Sequence, residues 1–260
     1  MIDPAKLGVG REDYYLREVA GDREAYLSGH GEAPGYWLGS AAPKAFGLSG
    51  EVAAEQFRRV FVGRDPRTGE LLGRHHRTDG VLAYDFVFRP AKSVALLYGL
   101  GTVEESQAAM AAHHAGLEAA VAYLERFAKL RRGRNGVDRV DAAGLLAVGF
   151  DHRASRAGDP LPHTHVIVMN RAQGPDERWT APDGRPLLDE LKAADAVYRA
   201  TYQRQLTATL GLEWSPADEH GNRELAGIPE EMIRHFSKAR CRIEEELARR
   251  QAEGLPVTRR

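Results

Sequence analysis

The segment Phe150-Asp151-His152-Arg153-Ala154-Ser155-Arg156-Ala157-Gly158-Asp159-Pro160-Leu161-Pro162-His163-Thr164-His165-Val166-Ile167-Val168 decides the architecture. Its ends belong to two apolar runs, Leu145 to His152 and His163 to Asn170, and the polar stretch between them holds Gly158, Asp159 and Pro160, which favour a turn. Two such runs about a turn predict an antiparallel hairpin. Side chains alternate along a strand, so His163 and His165 share a face. The hairpin folds His152 back beside them, and three imidazoles then converge on one divalent cation. A structural ion would be closed off by a fourth protein ligand, and none is evident; three ligands with open positions suit a catalytic ion that also takes a substrate oxygen. Ligand histidines need a partner on the other ring nitrogen. Asp85 and Asp151 are the candidates, Asp85 the better because it stands inside an otherwise apolar strand.

That strand is Val81 to Phe88, where Leu82, Tyr84, Phe86 and Phe88 alternate with Ala83, Asp85 and Val87, which places Asp85 opposite the aromatic face. Upstream, Arg11 to about Ala20 reads as a first helix with Tyr14, Tyr15, Leu16 and Val19 as its apolar stripe and Gly21 as its stop. Adjacent Tyr14 and Tyr15 cannot both face a core. Gly29 to Ser40 reads as loop anchored by Tyr36 and Trp37, and Glu51 to Val62 as a helix. Val103 to about Arg131 reads as a helix rich in Ala and Glu that ends at a basic turn, Arg132 to Gly136. Pro186 to Gly211 and Pro229 to Arg250 read as two further long helices, the second with proline at its first turn. Strands mixed with helices, the central pair joined as a hairpin, predict an α+β fold: a central antiparallel sheet flanked by helices, with a helical C-terminal portion over about 186–260.

Composition narrows the class. The 260 residues, 43% hydrophobic and 28% charged, suffice for a globular core in one domain. Cys241 is the single cysteine, so a disulfide framework and a thiolate metal site are excluded, and any metal must be held by His, Asp or Glu. No stretch approaches the roughly 20 apolar residues that a membrane helix needs, and no membrane insertion is expected. A net charge of −1 speaks against a general nucleic-acid coater, which is ordinarily basic. Basic residues do cluster, at Lys129, Arg131, Arg132, Arg134 and Arg139 and at Arg234, Lys238, Arg240 and Arg242, although such clusters are ordinarily solvated faces.

The segment Phe150 to His165, with Val166 to Asn170 behind it, resembles the three-histidine signature of conjugative relaxases of the MobF class (TraI/TrwC type), within the HUH endonuclease superfamily. Three further segments fall in that family's order: Tyr14-Tyr15 on the first helix, Asp85-Phe86-Val87-Phe88-Arg89-Pro90-Ala91-Lys92-Ser93-Val94, and Trp179 to Leu188. The likeness covers nearly the whole chain. It implies a palm-like antiparallel sheet with helices, although Met1 to Val9, where the family has its first strand, contains Pro4 and little alternation. It also implies that His152, His163 and His165 bind the metal, that Tyr14 is the principal nucleophile, and that Asp85 orients a ligand histidine and assists tyrosine deprotonation. Family members often carry a second tyrosine pair; that region reads Glu24-Ala25-Tyr26-Leu27 here, which leaves a second transfer between Tyr26 and Tyr15.

The activity this implies is site- and strand-specific nicking and rejoining of DNA at a transfer origin. A tyrosine attacks a phosphodiester, leaving a 5′-phosphotyrosyl link and a free 3′-hydroxyl. A phenol is a poor nucleophile at its free pKa of about 10, and a cation on the phosphoryl oxygen offsets the developing charge. Mg or Mn is the expected working ion, with Zn, Ni or Co also suited to three imidazoles. The implied partners are single-stranded or melted origin DNA, relaxosome accessory proteins and a conjugative coupling protein, for a monomer in the bacterial cytoplasm that can accompany DNA to the recipient cell. Arg89, Lys92, Arg153 and Arg156 are candidates to touch phosphate or to stabilise loops. MobF proteins usually carry a helicase after the relaxase domain; a Gly-x-x-x-x-Gly-Lys-Ser/Thr loop is absent from 1–260, so the chain is expected to be the N-terminal part of a longer protein, with 186–260 packing on the sheet or closing over DNA. Two other activities are weighed: a phosphodiester hydrolase in which bound water attacks, and a catalytically silent origin-binding module with structural histidines.

Overall fold

The computed structural model describes residues 2–17, 32–77 and 79–253. In chain order its elements are β1 (Asp3–Leu7), α1 (Glu12–Arg17), β2 (Tyr36–Leu38), α2 (Ala41–Phe46), α3 (Ala54–Phe61), β3 (Ala83–Phe88), α4 (Lys92–Leu100), α5 (Val103–Glu125), β4 (Lys129–Arg132), β5 (Asp138–Asp141), β6 (Ala147–Ala154), β7 (Pro160–Met169), β8 (Ala172–Gln173), β9 (Trp179–Thr180), α6 (Gly184–Asp189), α7 (Leu191–Leu210), α8 (Glu230–His235) and α9 (Lys238–Ala252). Five strands form one antiparallel sheet in the order β1-β3-β7-β6-β2. The fold is α+β, as expected.

Alternation on the central strands makes two cores. Phe86 and Phe88 of β3, Ala147 of β6, and Val166 and Val168 of β7 face a layer built from α5 and α7. Ala83, Val148, Phe150, Ile167 and Met169 face the opposite way, into a core closed by Tyr15 of α1, Ala41, Ala42 and Phe46 of α2, and Phe57, Val60 and Phe61 of α3. The sheet is thus covered on both sides, which explains the nearly continuous apolar runs of β6 and β7. Helices α5 and α7 approach closely because Gly116 lacks a side chain: a Cβ there would stand 2.8 Å from the Tyr198 ring.

Several boundaries differ from the sequence expectation, each for a traceable reason. Helix α5 starts where Thr102 and Glu105 cap one another, at 3.2 and 2.7 Å, but it ends at Glu125, not near Arg131. There the Glu125 carboxylate accepts hydrogen bonds from the amides of Ser40 and Leu145, and Lys129–Arg132 becomes a strand paired with β5. The supposed loop from Gly29 to Ser40 contains β2, which pairs with β6, so Tyr36 is a strand residue. The weakly marked N-terminus forms β1, an edge strand, where Pro4 is tolerated. Helix α3 starts at Ala54, not Glu51, and α4 was not expected. The two long C-terminal helices are each interrupted. The first breaks at Glu190 into α6 and α7. The second breaks before Lys238, whose amide donates to Asp159 at 2.9 Å and so starts α9 against the β6–β7 turn. Of the expected 186–260 portion, α7 packs on the sheet. No described helix is long and apolar enough to cross a membrane.

Candidate metal centre

In the β6–β7 hairpin His152 stands directly opposite His163, and His165 lies two residues on, with a bulge just past His152. The three imidazoles share the face that carries Phe150 and Ile167. Their ring centroids are 5.0 to 5.4 Å apart, and one ring nitrogen from each lies within 4.8 Å of the others. Hydrogen bonding fixes two of the tautomers. His163 Nδ1 donates to the Leu161 carbonyl at 2.7 Å and His165 Nδ1 donates to Asp85 Oδ2 at 2.8 Å, so in both rings Nε2 carries the lone pair. Burial, above all, pushes the His163 imidazolium down to about pH 4, with His152 and His165 nearby acting in the same sense, although the Leu161 bond opposes it. The ring is therefore neutral at pH 7. Three imidazoles with converging ring nitrogens and no carboxylate among them fit a divalent transition-type cation, and three ligands leave positions open.

Asp85 reaches this centre across the sheet. It pairs in register with Ile167 of β7, which makes His165 its diagonal neighbour on the same face. Its Oδ2 accepts from His165 and also, at 2.9 Å, from the hydroxyl of Tyr15, while Oδ1 is buried without a hydrogen-bond partner among the described residues. Tyr15 is 4% exposed, stacked on Phe150 at 5.6 Å, and its ring lies 5.6 Å from that of His165. Burial, then the Asp85 carboxylate, pushes its phenol well above the ordinary range. Tyr14, next in the helix, is 39% exposed and meets the Tyr15 ring edge-on at 5.1 Å. One tyrosine of the pair is thus built into the core with its hydroxyl bound to Asp85, and the other is exposed. Tyr26 lies outside the described residues.

The basic candidates separate by what holds them. Lys92 Nζ donates to the Pro160 carbonyl at 2.6 Å, and its pKa is lowered by burial. Arg153 pairs with Glu32 at 2.9 Å, its amide also bound to that carboxylate. Arg156 and Arg89 are exposed, and Arg89 is close enough to His163 to act on its charge. Arg89, Lys92, Leu161, Phe236, Arg240 and Ile243 line one groove of about 640 Å³ beside the hairpin. Much of the first basic cluster, by contrast, is consumed internally: Arg131 and Arg139 bind Asp183, Arg132 binds Asp176, and Lys129 binds Asp141.

Asp151 is not a partner of His152, His163 or His165 among the described residues. Alternation turns it, with Thr164, to the other face of the hairpin, where Asp151 accepts from Thr164, from Tyr36 at 3.0 Å and from His114 Nε2 at 2.8 Å. Thr164 also contacts His113 Nε2 at 2.7 Å, and His113 Nδ1 meets the Tyr198 hydroxyl at 2.7 Å. Burial drives His113 down to about pH 3 and so keeps it neutral. The Asp151 hydrogen bond holds His114 above its ordinary value. Burial works to raise Asp151 itself, but the bond and charge of His114, with Thr164, leave it below the usual carboxylate range. The sequence reading passed over this cluster; the adjacent His113-His114 pair inside an alanine-rich helix was its visible sign.

Comparison with known proteins places these features in company. The TrwC relaxase family model matches residues 9–259. The multifunctional conjugation protein TraI of Escherichia coli is 29% identical over 241 residues, covering 88% of this chain and 13% of TraI; the TraI of strain K12 is 27% identical over 233 residues, 85% and 12%. The chain therefore spans about an eighth of the length of these relatives. Among solved structures, the relaxase TrwC in its metal-bound complex with OriT DNA superposes with a TM-score of 0.82 at 26% identity, covering 98% of this chain and 85% of that one. A copper-bound complex gives 0.81 at 28% identity with the same coverage. TrwC with a 27-mer comprising the recognition hairpin and the cleavage site gives 0.80 at 26%, covering 98% and 84%.

Proposed function

Because this chain belongs to the TrwC relaxase family, we propose that it nicks and rejoins one strand of DNA at a transfer origin, with Tyr14 as nucleophile. One observation carries the reading: three histidines with converging ring nitrogens share a sheet face with a carboxylate that holds both one of those histidines and the neighbour of an exposed tyrosine. A divalent ion held by His152, His163 and His165 would supply Lewis-acid stabilisation of the scissile phosphate. Mg or Mn is the working ion we favour, and the donor set equally accepts Zn, Ni, Co or the copper named for TrwC.

The chain's own residues do the rest. The Tyr14 oxygen forms a bond to phosphorus while the bond from phosphorus to the 3′-oxygen breaks. The phenolic proton leaves, the 3′-oxygen gains one, and a 5′-phosphotyrosyl diester remains. Asp85 is the carboxylate we assign to assist that deprotonation; among the described residues its Oδ1 has no hydrogen-bond partner, whereas Oδ2 already serves Tyr15 and His165. The commitment of the Tyr15 proton to Asp85 favours Tyr14 for the first attack, and Tyr26 and Tyr15 stay candidates for a second transfer. The groove of Arg89, Lys92 and Phe236 offers cations for phosphates and an aromatic ring for base stacking, as a single strand requires, and Arg153 and Arg156 stay further candidates for phosphate contact. Accessory proteins, a coupling protein and a cytoplasmic setting belong to the same proposal.

The test is incubation with a labelled single-stranded origin oligonucleotide and Mg or Mn, followed by a denaturing gel. Wild type should carry DNA covalently and Tyr14→Phe should not. Product DNA without any protein adduct would mean that water attacks, and specific binding without cleavage under every cation would leave a silent origin-binding module.

A further inference from the structure

The Asp151 cluster is costly to bury. Thr164 and Tyr198 are fully buried and His113 is 1% exposed, in a layer where apolar side chains would pack without needing partners. Its hydrogen bonds have a fixed sense. The Thr164 hydroxyl donates to Asp151, so Thr164 must accept from His113 Nε2; the neutral ring then accepts at Nδ1 from the Tyr198 hydroxyl. Tyr36 and His114 add two more donors to the same carboxylate. Tyr36 can lie close over β6 because the residue beneath is Gly149, where a Cβ would stand 2.8 Å from the ring. The cluster ties α5, α7 and β2 to one point on the hairpin.

That point interleaves with the metal ligands. Asp151 immediately precedes His152, and Thr164 separates His163 from His165. Asp151 and Thr164 are also a directly opposed pair, one step from the opposed pair His152 and His163. Any shift of Asp151 or Thr164 is transmitted through covalent neighbours to all three ligands on the reverse face.

We propose that Asp151 and Thr164, held by His113, His114 and Tyr36, are positioning residues that set the spacing of the three metal-binding histidines from the opposite face of the hairpin. The inference rests on the metal reading of His152, His163 and His165. Its probe is Co(II) titrated into the metal-free chain, read by visible d–d absorption, with apo melting temperatures measured in parallel. Thr164→Val, which keeps shape but loses the hydroxyl bridge, should weaken Co(II) binding about tenfold and shift the d–d bands, and Thr164→Ser should restore both. His114→Ala, at a side chain 40% exposed that can be removed without unfolding, should move affinity and spectrum in the same direction to a smaller extent. A merely structural role lowers the melting temperature and leaves the ligand field alone. Wild-type affinity and spectrum in Thr164→Val, or in His114→Ala should the valine variant not fold, would overturn the proposal. Failure of the wild type itself to bind Co(II) would instead remove the metal reading and this inference with it.

Discussion

Two hairpins set like groups face to face, and they resolve the conflict differently. In β4–β5, Arg131 stands opposite Arg139, a pairing that by itself repels. The chain supplies the remedy: Asp183, 5% exposed at its side chain, accepts from both at 3.1 Å, and the hydrogen bond from Arg131, foremost, holds its carboxyl below the ordinary range. In β6–β7, His152 stands opposite His163 with His165 alongside, and the acceptors that the chain supplies, Leu161 and Asp85, take the outer Nδ1 atoms of His163 and His165. One ring nitrogen of each histidine lies within 4.8 Å of the others. A polar hairpin closed by its own counter-charge is structural, whereas one whose ring nitrogens converge on a common point is a candidate metal centre.

The largest break in this contrast should come from Asp85→Asn. A neutral amide oxygen accepts from Tyr15 and His165 more weakly than the charged carboxylate, so the His165 tautomer loosens. Metal affinity should fall by about 10- to 100-fold, measured by isothermal titration. Unchanged affinity would mean that Asp85 serves the tyrosines alone.

Acid should separate the hairpins next. His113, behind β6–β7, has a folded pKa of about 3 against an ordinary 6.5. As pH falls below 6.5 the unfolded chain takes a proton that the folded one refuses, so this residue subtracts stability progressively between pH 6.5 and 3. Asp183 is shifted the other way; its contribution is intact above an ordinary carboxylate pKa of 3.8 and is lost only as pH falls through its lower folded value. Urea unfolding across pH 4 to 7 should show a slope that His113→Asn flattens by about one proton near pH 5. Arg139→Ala should leave that slope as it is. A slope insensitive to His113→Asn would show that the ring already carries its proton in the folded chain.

The smallest effect is expected from the closed hairpin. Arg139→Ala should cost no more than about 1 kcal/mol of stability, because its side chain is half exposed. It should also leave the salt dependence of single-strand binding unaltered. Arg89→Ala, in the groove, should lower the slope of log affinity against log salt by about 0.7, read by fluorescence anisotropy. Equal flattening by both variants would erase the distinction between the two hairpins.

The legible parts of the molecule were those where one local period carries the information. Two apolar runs, Leu145–His152 and His163–Asn170, about a polar turn located the hairpin, the period of two put His163 and His165 on one face, and alternation in Val81–Phe88 put Asp85 opposite the aromatics. Where partners are remote, local signals misled. The helical propensity after Glu125 could not reveal a strand at Lys129–Arg132, whose pairing residues lie beyond the next turn. Pro4 obscured β1, because only the sheet order shows that this strand occupies an edge. Two adjacent tyrosines announced that one is buried, but not which.

From the residues alone came the α+β class, the grouping of His152, His163 and His165 and the family likeness, since each depends on short-range spacing or on order along the chain. Register between strands distant in sequence decided that Asp85 lies diagonal to His165, that Tyr15 donates a hydrogen bond to that carboxylate while Tyr14 stays exposed, and that Asp151 faces away into its own cluster. The physical reason is that a one-residue slip between strands moves every side chain to the other face, and only the packing of α1, α3, α5 and α7 against the sheet selects which register is made.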